Sequence, residues 1–195
     1  MPRTAKEILF EAEQHLRVAK FGLSDMRGKP ERRHAGLYNA IVFGRSATFA
    51  LQNLRSVVDG FDEWYEPKQQ EMKSDVLMTY FNETRRQIEH AAKGPAIRFG
   101  ARIHLPDTEF IKQSRPPNAV HFFIGDMNGG SGWVVKNADG TTEKFYVDLP
   151  ETVAKVEIKL RDAPGEQADK PAADVVSEYL TKIEALIGEA KARFQ

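Results

Sequence analysis

The stretch GPAIRFGARIHL, Gly94 to Leu105, divides the chain into two regimes. Before it, apolar residues recur every three or four positions, the period of an α-helix with one buried stripe. From Ile97 they alternate: Ile97, Phe99, Ala101, Ile103 and Leu105 fall on one side of an extended chain, and Arg98, Arg102 and His104 on the other. Gly94-Pro95 stops a helix from running across the change. A chain that begins helical and turns extended at Ile97 is α+β in class.

Upstream, residues 75–92 predict a helix with the apolar face Leu77, Phe81, Thr84 and Ile88, flanked by Tyr80 and Ala91 and capped by Ser74 or Asp75. Phe61–Tyr65, interrupted by Pro67, reads as a short helix or a packed loop. Residues 34–59 predict a longer helix with Leu37, Ile41, Ala47, Leu51, Leu54 and Val58 inward, ended by Gly60. Its small residues Ala40, Gly44, Ser46, Ala47 and Ala50 would let another helix approach closely. Residues 4–23 predict the first helix, started by Thr4 and Glu7 in capping-box spacing. Gly22 and the polar run Ser24–Arg33, with Gly28 and Pro30, read as the loop after it.

Downstream, Val120–Ile124 and Gly132–Val135 predict strands joined across Asn128-Gly129-Gly130, and Phe145–Val147 pairs back across Asn137–Gly140. Val153–Leu160 shows the clearest alternation in the chain. Residues 161–171 are a polar linker, and 172–193 predict a last helix with Val175, Val176, Tyr179, Leu180, Ile183, Leu186 and Ile187 inward. The expected architecture is therefore a four-helix bundle, residues 1–94 plus 172–195, with an antiparallel β-sheet insertion, residues 95–171, between the third and fourth helices. The other arrangement packs the last helix on the sheet.

The 195 residues carry 28 Lys+Arg, 28 Asp+Glu and no cysteine. That excludes a disulfide scaffold, thiolate-ligated zinc, iron–sulfur clusters and thiol catalysis. The zero net charge is a cancellation: residues 1–58 and 91–136 are net basic, whereas 59–90 and 137–195 are net acidic. A basic segment can attract phosphate even in a neutral chain. No run of 18 apolar residues suggests a membrane span, and the charged N-terminus lacks the apolar core of a secretory signal, so a cytoplasmic protein is expected.

The run most suggestive of chemistry is Tyr80-Phe81-Asn82-Glu83-Thr84-Arg85-Arg86-Gln87-Ile88-Glu89-His90. Arg85, four residues and His90 near the end of a helix, behind an aromatic lead-in and a long preceding helix, resembles the signature of the HEPN superfamily of helical bundles. That resemblance implies metal-independent cleavage of RNA without a cofactor, in a cleft between two protomers of a homodimer. It places Arg85 on the scissile phosphate and His90 as general acid or base near the 2′-hydroxyl, with Arg86 assisting. Arginine offers a fixed fork for phosphate oxygens, and histidine titrates near neutrality. Within one straight helix, however, residues five apart lie roughly 140° around the axis and about 7.5 Å along it. Arg85 and His90 thus converge only across a cleft or where the helix frays. The same residues also form a charged helical surface, with Glu83–Arg86 and Arg85–Glu89 as ion pairs and His90 favoured by the helix C-terminus.

Arg98, Arg102 and His104, on one face of the extended stretch and near several aromatics, are candidates for contacting nucleic acid. No histidine pair has metal-ligand spacing in sequence, and no metal is expected. Gly125–Gly132 lacks the Gly-Lys-Ser/Thr ending of a phosphate loop and reads as a hairpin turn. The function expected first is a metal-independent ribonuclease or RNA-binding protein. The alternative is a non-catalytic helical interaction protein with a protein partner, and a third is a small-ligand binder between sheet and bundle.

Overall fold

The computed structural model describes residues 3–91, 93–95, 97–103, 108–150 and 152–195, without the side chains of 99–103, 108 and 155. The chain is α+β, as the change of period at Ile97 requires. It has six helices and two small antiparallel sheets among the described residues, where four helices and one sheet were expected.

Helix α1 spans Ala5–Arg27. The Thr4 hydroxyl accepts from the Glu7 backbone N–H at 3.3 Å, and the Glu7 carboxylate accepts from the Thr4 N–H at 2.7 Å. This closes the predicted capping box and holds the Glu7 carboxyl below its ordinary value. The expected loop from Ser24 to Arg33 is a correction. α1 continues to Arg27, and α2, Pro30–Gln52, begins almost at once with Pro30 in its first turn. Met26 is buried there, so tertiary packing overrides the polar composition.

The helix breaker Gly22 is instead a point of contact. A Cβ on Gly22 would stand 2.5 Å from the Gly36 carbonyl oxygen of α2, and one on Gly36 would stand 2.5 Å from the Gly22 oxygen. The two glycines form a seam in which the backbones of α1 and α2 touch. Further along α2, a Cβ on Gly44 would meet the Tyr179 ring at 2.8 Å and Leu180 at 3.0 Å. The small residues of α2 are therefore used inside the chain.

After the 3-10 turn Asn53–Ser56, Gly60 takes a left-handed conformation (φ +69°) and opens α3, Phe61–Ser74. The second helix thus ends before the expected residue 59, and the aromatic segment beyond it is a full helix that carries Pro67 on its exposed side. Asp75 starts α4, Val76–Ala91: its carboxylate accepts from the N–H groups of Leu77 at 2.9 Å and Met78 at 3.0 Å. The other carboxylate oxygen accepts from Lys182 at 2.6 Å, a residue of the last helix, α6, Ala172–Phe194.

Strand β1, Ile97–Ile103, pairs with the distant β5, Ala154–Leu160, with Ile97 opposite Leu160. β2 (Ala119–Phe123), β3 (Gly132–Lys136) and β4 (Thr142–Tyr146) form a separate meander. A short helix, α5, Thr108–Gln113, precedes β2, and the polar linker contains a 3-10 turn, Gly165–Asp169. One core joins α1, α2, α3, α4 and α6 and takes in Leu160 at the end of β5 and Ala163 beyond it. Inside it Phe81 of α4 stacks on Tyr179 of α6 with centroids 4.4 Å apart. Among the described residues no helix is long and apolar enough to cross a membrane.

Candidate functional site

Helix α4 carries the residues singled out by sequence. Its buried stripe of Leu77, Phe81 and Thr84 faces the core, which leaves Arg85 half-buried at the edge and Arg86 and His90 exposed. Arg85 forms an ion pair with Glu89 one turn on, and its guanidinium lies 5.2 Å from the Phe49 ring centroid on α2. Arg86 pairs with Glu83 at 2.9 Å. His90 has no hydrogen-bond partner among the described residues and lies on another stripe of the helix. The structure thus brings Arg85 together with Glu89 and Phe49, and not with His90.

Arg98 on β1 donates to the Ala168 carbonyl at 2.9 Å and pairs with Asp169 at 2.8 Å, which ties the strand to the 3-10 turn before α6. His104 and the side chain of Arg102 lie outside what is described. No group of three or more His, Asp or Glu among the described residues is placed to hold a metal ion.

Sequence reasoning missed Arg45, which shares the Phe49 ring with Arg85. Arg45 projects from the middle of α2 and lies over the same Phe49 ring at 4.1 Å from its centroid. Its Nε donates to the Asn82 side-chain oxygen of α4 at 3.0 Å, and one terminal nitrogen donates to the buried Thr48 hydroxyl. Burial first, and then the neighbouring Arg85 charge, press the Arg45 guanidinium below its ordinary value. The signal in the sequence was faint: one arginine in an otherwise small and apolar stretch of helix.

The glycine-rich segment is a pinned hairpin. Asp126 accepts from the backbone N–H groups of Asn128 at 2.9 Å and Gly130 at 3.0 Å, from Lys144 at 2.6 Å and from the Tyr146 hydroxyl at 2.7 Å. These donors outweigh the cost of burial and hold its carboxyl at about 2. Each Asp126 oxygen accepts two hydrogen bonds, one pair from the turn and one from β4, so the carboxylate braces the loop. The Arg33 guanidinium of α2 donates to the Gly129 carbonyl at 2.7 Å and docks this hairpin on the helices. A cleft of about 470 Å³ opens beside it, between Met26, His34 and Leu37 of the helices and Ile97, Val156 and Ile158 of the β1–β5 pair. It lies between sheet and helices, the place expected for a small ligand in the third reading of the sequence.

Residues 24–95 match the family of bacteriophage lambda protein ea47. The match runs from the last turn of α1 through α4, just over a third of the chain, and the chain is similar to the ea47 family over that segment. No curated protein and no solved structure matches the chain. The resemblance to the HEPN superfamily is thereby corrected. The helix of Arg85 and His90 and the long helix before it fall inside the ea47-like segment, and no HEPN family is matched. The Arg-x4-His spacing arises here from a charged helix surface, with Arg85 answered by Glu89 and Arg86 by Glu83.

Proposed function

We propose that this chain acts by binding a partner, as a non-catalytic helical interaction protein. The observation that carries this reading is the state of Arg85: its guanidinium is spent on Glu89 and Phe49, and its side chain is only 20% exposed. To grip a scissile phosphate it would have to give up both, and His90 stands on another stripe with no hydrogen-bond partner among the described residues to orient it. In this reading residues 1–94 with 172–195 are the interaction body, the five helices α1–α4 and α6 around one core, and residues 95–171 are an excursion from it. A second copy of the chain is the first partner to test, by sedimentation equilibrium.

The deciding experiment is incubation of the purified protein with single-stranded RNAs in EDTA, beside Arg85→Ala and His90→Ala. The expected outcome is no cleavage above the buffer control by any of the three. Metal-independent cleavage by the wild type that both substitutions abolish would refute the interaction reading and assign the chain a ribonuclease activity at Arg85 and His90.

A further inference from the structure

Around the Arg45 side chain, α2, α3, α4 and α6 line a pocket of about 250 Å³. Its polar lining is Arg45, Tyr65, Gln69, Lys73, Thr79 and Asn82, closed by Tyr179, and none of its lining residues is an aspartate or a glutamate. Arginine has five N–H donors. In Arg45 one goes to Asn82 and one to Thr48, which leaves three without an acceptor among the described residues. Thr48 sends its own proton to the Arg45 carbonyl at 2.8 Å, so its oxygen is turned to receive the guanidinium and hold the fork in place. Among the described residues no carboxylate lies within ion-pair distance of Arg45.

The other groups are also donors in excess. The Tyr179 hydroxyl is buried with no hydrogen-bond partner, in a residue 1% exposed. A buried polar group left unmade is costly and calls for an explanation. The charges of Arg45 and Arg85 both act on this phenol, yet burial dominates and keeps it protonated. The Tyr65 oxygen accepts from Gln52 at 3.1 Å, so its proton is available to donate. Lys73, at the rim, reaches the Gln69 side-chain oxygen at 3.4 Å and no other acceptor among the described residues.

We propose that this pocket binds the phosphate group of a small phosphate monoester, with Arg45 as its principal ligand and Tyr65, Tyr179 and Lys73 as further donors. The unspent groups are cations and hydroxyl donors, and a phosphate dianion is their complement: it accepts hydrogen bonds at three oxygens and carries up to two charges near neutral pH. The pocket is smaller than the roughly 300–1,000 Å³ typical of sites that engulf whole drug-sized ligands. The phosphate therefore enters and the rest of the molecule stays outside, near Lys73. The site stands apart from the interaction reading and can fail without it.

The test is calorimetric titration of the full chain with inorganic phosphate and with glycerol 3-phosphate, against sodium chloride at matched ionic strength. The expected result is saturable binding of both phosphates, weakened at least tenfold by Arg45→Met and at least threefold by Tyr179→Phe, with circular dichroism confirming the fold. Should Arg45→Met fail to fold, Lys73→Met carries the test at the rim and must weaken binding at least threefold. No saturable binding by the wild type, or affinity unchanged in the folded variants, overturns the proposal.

Discussion

Replacing Asp126 by Asn keeps the shape of the side chain and removes its charge. The hairpin then retains an acceptor for the Asn128 and Gly130 N–H groups but turns an amide toward Lys144 and Tyr146, which now donate to a carboxylate oxygen at 2.6 and 2.7 Å. The Asp126 side chain is only 7% exposed, so solvent screens these contacts little. Its fall from an ordinary 3.8 to about 2 corresponds to roughly 2 kcal/mol of stability at neutral pH. The sign follows from the direction. A carboxyl held down in the folded state contributes fully above its unfolded value and loses that contribution as pH falls from about 4 toward 2.

Trp133 lies in β3 against Phe122, with centroids 5.0 Å apart, while the other tryptophan, Trp64, belongs to the helices. In a Trp64→Phe background, urea unfolding followed by fluorescence reports the meander alone. Asp126→Asn should lower stability there by about 2 kcal/mol at pH 7 and by roughly half as much at pH 3. A deficit that is the same at pH 7 and pH 3, or no deficit at pH 7, would refute the bracing role of the charge.

Two further substitutions test the helical body. Gly36→Ala places a methyl 2.5 Å from the Gly22 carbonyl oxygen and should cost about 1–3 kcal/mol in chemical denaturation, since backbone cannot yield as a side chain can. Asp75→Ala removes both the cap of α4 and the bridge to Lys182. It should cost about 1–2 kcal/mol, with Asp75→Asn recovering part of the cap, as read from thermal unfolding.

The sequence announced its periods well and its long-range partners poorly. The shift at Ile97, the Thr4 capping box and the alternation of Val153–Leu160 are local signals, and the structure builds a helix or strand from each. The pairing of β1 with β5 is a contact between distant residues, and nothing in either strand distinguishes one shared sheet from two. Composition misled at Ser24–Arg33, where polar residues on the outward side hid a helix whose inward side is Met26 and the Gly22–Gly36 seam. Pro67 suggested an interruption, yet it sits on the exposed side of α3. At the candidate site the charges were legible as i to i+3 and i to i+4 pairs, and the structure contains both. Arg45 was not legible, because an isolated arginine on a helix reads as solvated until the helices that enclose it are known.

Ile97 and Leu160 face one another at the base of the β1–β5 ladder, so the polypeptide departs from α4 and comes back toward α6 through adjoining points. Antiparallel partners stand only about 4.5–5.5 Å apart. What lies between those points can lengthen or shorten without altering the distance that α4 and α6 must span. Doubling such an excursion adds only about 0.6 kcal/mol of closure entropy. The spacing of α4 and α6 is thus insulated from the length of the segment beyond β1, while the Arg33–Gly129 contact still docks its hairpin on α2.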